Sequence, residues 1–207
     1  MTRRPATAFL TALLAAVLVA GLGLSTAQAG YKEGREAYEK KDFPTAWKEL
    51  EPLAKQGNAD AMYLVGSMHH MGMGTAPSYK DAAEWYRKSA DAGKIDAVFT
   101  MGVVYEGGIG VPRSRNEAFA WYKKSADRGF YAGQLKVANM YGKGQGTKKD
   151  VAQSYLWYAI AERFAPRTGN DRFELPIIKD KLSALMTKEQ VADMDRRAKA
   201  WKAVAGK

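Results

Sequence analysis

The sequence contains no cysteine. Disulfides, thiol chemistry, iron–sulfur clusters and cysteine-built zinc sites are therefore excluded together. Histidine is nearly absent too: the two present, His69 and His70, are adjacent, which leaves little room for a histidine metal centre or a Ser-His-Asp triad. No His-Glu-x-x-His, Gly-x-Ser-x-Gly or Walker A pattern occurs. The stretch Gly142-Lys143-Gly144-Gln145-Gly146-Thr147-Lys148 is glycine-rich and basic, but its spacing misses a phosphate loop. Asp193 and Asp195 fall on different faces of a helix and suit neither acid–base work nor a metal. The chain reads as a non-enzyme with no cofactor and no metal. Blocks of five or six like charges are also missing, so the formal +10 is spread over solvated faces and does not point to nucleic acid.

With 207 residues, 46% hydrophobic and 26% charged, the chain has the composition of a folded protein and enough length for a core. Arg3 and Arg4 precede an apolar stretch over 8–24, and Ala27-Gln28-Ala29 follows. A basic start, an apolar middle and a small-x-small exit read as a signal peptide, 1–29, cut after Ala29. The expected location is periplasmic or secreted, with no stable membrane span after cleavage. Loss of Arg3 and Arg4 lowers the surplus from +10 to +8, which still favours weak contact with anionic polymers.

Internal repetition dominates what remains. Trp85-Tyr86, Trp121-Tyr122 and Trp157-Tyr158 recur at a spacing of 36, as do Gly72/Gly108/Gly144 and Gly74/Gly110/Gly146. Gly57, Gly93 and Gly129 mark the joints. Each unit reads as two helices. The first covers about 60–71, 96–107 and 132–143, with a small residue at Gly66, Gly102 or Ala138 for close approach, and ends at the Gly-x-Gly pair. Ser78, Ser114 and Asp150 are N-caps for the second; Ser114 with Glu117 is a full capping box. The Trp-Tyr pair belongs to the core, and each Trp contributes about 3–5 kcal/mol.

Boundaries follow: an N-terminal capping pair over 30–59, with helices near 31–40 and 44–56, units at 60–95, 96–131 and a degenerate 132–165, and capping helices over 166–207. In the last region 166–170 is a turn-rich break, followed by helices near 172–185 and from Thr187 to about residue 202. The fold class is all-α, a right-handed α-solenoid of stacked antiparallel helix pairs.

Ala61-x-x-x-Val65-Gly66-x-x-His69, Gly72-x-Gly74, Ala82-x-x-Trp85-Tyr86-x-Lys88-Ser89-Ala90 and Gly93 together resemble one Sel-1-like repeat. The second copy matches more closely, and the third departs at Gly133, Ala138 and Glu162. Tetratricopeptide repeats share the architecture but not the period, being 34 residues long. The resemblance covers roughly 31–201 and implies an interaction scaffold whose first helices line a concave surface. Some cysteine-rich relatives are linked with β-lactam chemistry; without cysteine or a Ser-x-x-Lys motif, that link does not carry over.

Ser67 and His70 in the first unit, Thr100, Val103 and Glu106 in the second, and Lys136 and Asn139 in the third are the expected partner-binding residues of the concave face. His69 is expected to pack inward. The expected partner is another protein of the periplasm or envelope, with cell-wall glycan as the alternative ligand and an unrecognised hydrolase as the second alternative. Replacing Glu106, Lys136 and Asn139 together is expected to weaken binding without lowering the melting temperature.

Overall fold

The computed structural model describes residues 28–166 and 171–204. The signal-peptide reading thus falls almost wholly outside the described residues, as does most of the 166–170 break. Every regular element among the described residues is an α-helix. In chain order they are α1 (28–39), α2 (Phe43–Lys55), α3 (Ala59–Met71), α4 (Tyr79–Asp91), α5 (Ile95–Gly107), α6 (Arg115–Asp127), α7 (Tyr131–Lys143), α8 (Val151–Phe164), α9 (Asp171–Ser183) and α10 (Lys188–Ala200).

The repeated ends are set by local chemistry. Side chains of Ser78, Ser114 and Asp150 accept the amides of Asp81, Glu117 and Gln153, satisfying orphan donors at the starts of α4, α6 and α8. The expected full capping box at Ser114 is seen as this forward bond, with Glu117 exposed to water; both halves close at Thr187–Gln190, opening α10. At the other ends, Gly72, Gly108 and Gly144 are left-handed and donate their N–H groups to the carbonyls of Met68, Val104 and Met140 in the last turns of α3, α5 and α7.

Helices pair within a unit as α3/α4, α5/α6 and α7/α8, and each second helix packs on the first helix of the next unit. Two glycine positions make this stacking possible. At Gly66 an added Cβ would stand 2.9 Å from the Tyr86 ring, and at Gly102 it would overlap Tyr122. The second glycine of each loop lies on the first turn of the second helix of the preceding pair: Gly74 on the Phe43 carbonyl, Gly110 on that of Tyr79, Gly146 on that of Arg115. Lys94 bridges to Asp60 at 2.6 Å, and Arg128 donates to the Gly93 carbonyl at 2.6 Å, tying successive joints.

Within the aromatic pair, tyrosine is the deeper member in the first two units. Tyr86 and Tyr122 are buried, whereas Trp85 and Trp121 are half-buried beneath the ammoniums of Lys88 and Lys124, 4.4 and 4.8 Å from the ring centres. Adjacent residues on a helix diverge by about 100°, so only one of the two can face the partner helix squarely. Trp157 is buried instead, covered by α8's neighbours and by Trp201. Both α9 and α10 pack on α8, closing that end of the stack.

Candidate functional site

The first helices of the units, α3, α5 and α7, carry the residues of interest on one repeated surface. A tyrosine clamp organises it. The Tyr86 and Tyr122 rings press on Gly66 and Gly102 of their own first helices, and the hydroxyls of all three repeat tyrosines meet residues of this surface. Tyr86 hydrogen-bonds Ser67, which also bonds the Tyr38 hydroxyl at 2.9 Å. Tyr158 hydrogen-bonds Asn139. The equivalent position in the second unit is Val103, which has no polar group to offer. Tyr122 therefore donates to the Glu106 carboxylate, one turn further on, at 2.7 Å.

Glu106 also receives Lys136 from the next unit at 2.9 Å. Partial burial alone would push the Glu106 carboxyl up, but the Lys136 ammonium and Tyr122 hydroxyl outweigh it and hold the group below its ordinary range. Burial, then the adjacent Glu106 charge, drives the Tyr122 hydroxyl far above the usual phenol value. Glu106 is thus a structural acceptor as well as a surface group. The expectation that a Glu106, Lys136 and Asn139 triple substitution leaves melting unaltered is accordingly corrected: it would strand the Tyr122 hydroxyl.

The seven predicted residues are spread over α3, α5 and α7, and three of them adjoin a cavity. Glu106, Lys136 and Asn139 line a cavity of about 530 Å³. Ser67 lies in the first-unit clamp, and Thr100 is 3.5 Å from the Tyr63 hydroxyl. Val103 is exposed. His70 sits edge-on to Tyr79 and Tyr86, and His69 packs edge-on to Trp47 with its Nδ1 buried.

The cavity has an apolar floor of Phe99, Leu135, Met140 and Tyr158, and its far wall is α9, through Leu175 and Ile178. The sequence pattern assigns α9 the role of an end cover. Apolar spacing at Leu175, Ile178 and Leu182 was the available signal for an inward face, and the Tyr63/Phe99/Leu135 register was the signal for the floor. The far wall depends on how the chain turns after α8, which no local pattern encodes.

These features define a helical solenoid scaffold with a lined cavity on its first-helix face. The Sel1 repeat model matches residues 59–94, 95–130 and 132–163, just over half of the chain, and the chain belongs to the Sel1 repeat family. Among solved structures it is similar to a Sel1 repeat protein from Oxalobacter formigenes, at 31% identity and a TM-score of 0.60, covering 63% of this chain and 54% of that one. It is also similar in fold to a protective antigen of uropathogenic Escherichia coli displaying an SLR fold, at 23% identity and a TM-score of 0.70. That match covers 88% of this chain and 39% of that one. The chain therefore spans about half and about two fifths of those proteins. No curated protein matches it. Sel1 repeat proteins are generally protein-interaction scaffolds and typically non-catalytic, and no helix among the described residues is long and apolar enough to cross a membrane.

Proposed function

We propose that this protein is an exported, non-catalytic scaffold that receives an extended segment of an envelope protein along its first-helix face. The cavity between α5, α7 and α9 carries this reading. It combines an apolar floor with hydrogen-bonding groups at its rim, the composition that recognises a side chain and the backbone beside it. Export is supported by the 1–29 pattern of basic start, apolar middle and Ala-x-Ala exit.

Cross-linking capture from the envelope of the exporting cell tests the reading, with Ala132→Met as the comparison. Ala132 lines the cavity, and the larger side chain fills it. Proteins recovered by the wild type and lost with Ala132→Met support the groove; equal recovery by both removes the cavity from the function. The surplus of basic groups favours a second reading, binding of anionic wall polymer. Co-sedimentation with purified peptidoglycan that persists in Ala132→Met would favour it.

A further inference from the structure

We infer that the segment received by this cavity is acidic beside its apolar anchor, and that the anchor's flank lies along the loop edge of the second and third units. The inference rests on the groove reading and adds the chemistry of the partner. Lys143 and Gln145 both line the cavity, so the cavity opens directly onto the loop after α7. From residue 143 to 149 the chain reads Lys-Gly-Gln-Gly-Thr-Lys-Lys, and from 108 to 115 Gly-Ile-Gly-Val-Pro-Arg-Ser-Arg, with no carboxylate in either stretch.

The two loops form one edge. Gly146 sits on the Arg115 carbonyl, leaving no space between the third-unit loop and the start of α6. Arg113 lies over Gly108 as Lys149 lies over Gly144, each side-chain Cβ 3.1 Å from where a glycine Cβ would be. Arg113, Arg115, Lys143, Lys148 and Lys149 are all exposed. Several other cations do find carboxylates: Lys94 with Asp60 and Asp96, Lys123 with Asp127, Lys136 with Glu106, Lys179 with Glu162. Among the described residues these five make no ion pair. Arg113 donates to the Glu106 carbonyl and its charge also reaches the Glu106 carboxylate, and the neighbouring Asp150 is engaged in capping α8.

The distribution argues against a general solubilising role. The corresponding loop of the first unit, 72–78, is Gly-Met-Gly-Thr-Ala-Pro-Ser and carries no charge. Among the three loops between first and second helices, basic charge is thus confined to the two units whose first helices build the cavity. Charges this close act together within a Debye length of about 10 Å, and they steer and orient an oppositely charged partner. An apolar recess at the end of the edge selects a polypeptide, because a polyanionic glycan has no apolar side chain to place there.

Selection of short random peptides displayed on phage against the full chain tests this, followed by anisotropy titration. The titrated probe is a labelled peptide of two leucines followed by a run of glutamates; controls replace the glutamates by lysines or the leucines by glycines. The expected result is enrichment of acidic residues flanking an apolar one. Lys143→Gln/Lys148→Gln/Lys149→Gln should weaken the glutamate probe about tenfold at low ionic strength, with unchanged melting, and Ala132→Met should weaken it as well. Peptides without acidic bias, blocked by Ala132→Met but indifferent to the lysine variant, would overturn the inference and leave the groove reading intact. Peptides indifferent to Ala132→Met would overturn both. Heparin displacing the probe while the glycine control binds equally would make the edge a polyanion surface, and the inference would fail.

Discussion

The first and third units share a frame and differ in what they hang on it. In the first, the Ser67 position takes two tyrosine hydroxyls and the loop is uncharged. In the third, Lys136 reaches back to Glu106, Asn139 stands exposed above Tyr158, and a basic loop flanks a cavity. Residues repeated at 36 positions set the stack: caps, loop glycines, and the Tyr ring on a small residue. Those that break the register set the surface. Val103 illustrates this best, because replacing a polar residue there diverts the Tyr122 hydroxyl to Glu106 and so links the second unit to the third.

The strongest test of the shared frame compares two glycines with similar backbone but different surroundings. Gly110 has φ +69 and lies against the Tyr79 carbonyl; Gly57 has φ +98 and nothing within 4 Å. Gly110→Ala combines left-handed strain with collision against backbone that cannot swing aside, and should cost about 3 kcal/mol or more. Gly57→Ala meets only the strain, about 1 kcal/mol. Urea midpoints measure both. Equal losses would show that the loop-on-helix contact does not hold the units together.

A smaller effect separates the clamps. Tyr122→Phe removes a hydroxyl bonded to a carboxylate and should cost about 2 kcal/mol, whereas Tyr86→Phe, losing a neutral partner, should cost about 1 kcal/mol. The acid side sharpens the difference. Glu106 has a lowered pKa in the fold, so its contribution is present above the ordinary carboxylate range and is lost as pH falls through the depressed value. The penalty of Tyr122→Phe should shrink there, while that of Tyr86→Phe should not. On the alkaline side the sign reverses: the raised Tyr122 hydroxyl keeps its proton in the fold, so stability falls once pH rises past the ordinary value of 10.0. Chemical denaturation of both variants across pH reads these changes, and parallel curves would dissolve the distinction.

Much of the stack is legible in the sequence because its signals are local. Ser78, Ser114 and Asp150 announce helix starts, Gly72, Gly108 and Gly144 announce ends, and the 36-residue register orders them. The site is less legible because it depends on contacts between units. Nothing adjacent to Val103 tells that Tyr122 will turn to Glu106, and nothing near residue 175 tells that α9 will wall a cavity on α5 and α7. Trp121 and Tyr122 are both large and aromatic; which one is buried follows from the rotation of α6 against α5, which spacing alone does not reveal.

The smallest test concerns a place where the third unit departs from the frame in its core. Gln134 is fully buried, and neither its side-chain nitrogen nor its oxygen has a hydrogen-bond partner. At the same position the first unit has Met62 and the second Val98, which is also fully buried. An amide taken out of water without replacement bonds is destabilising, and methionine restores an apolar side chain of similar length without leaving a void. Gln134→Met should therefore raise stability by about 1 kcal/mol, read as a higher urea midpoint at an unchanged slope. Val98→Gln, the reverse exchange in the second unit, should lower the midpoint, both by burying an amide and by overfilling a smaller site. A fall in stability for Gln134→Met would show that the third unit's core has been rebuilt around this glutamine, and that its departure from the repeat extends inward from the surface.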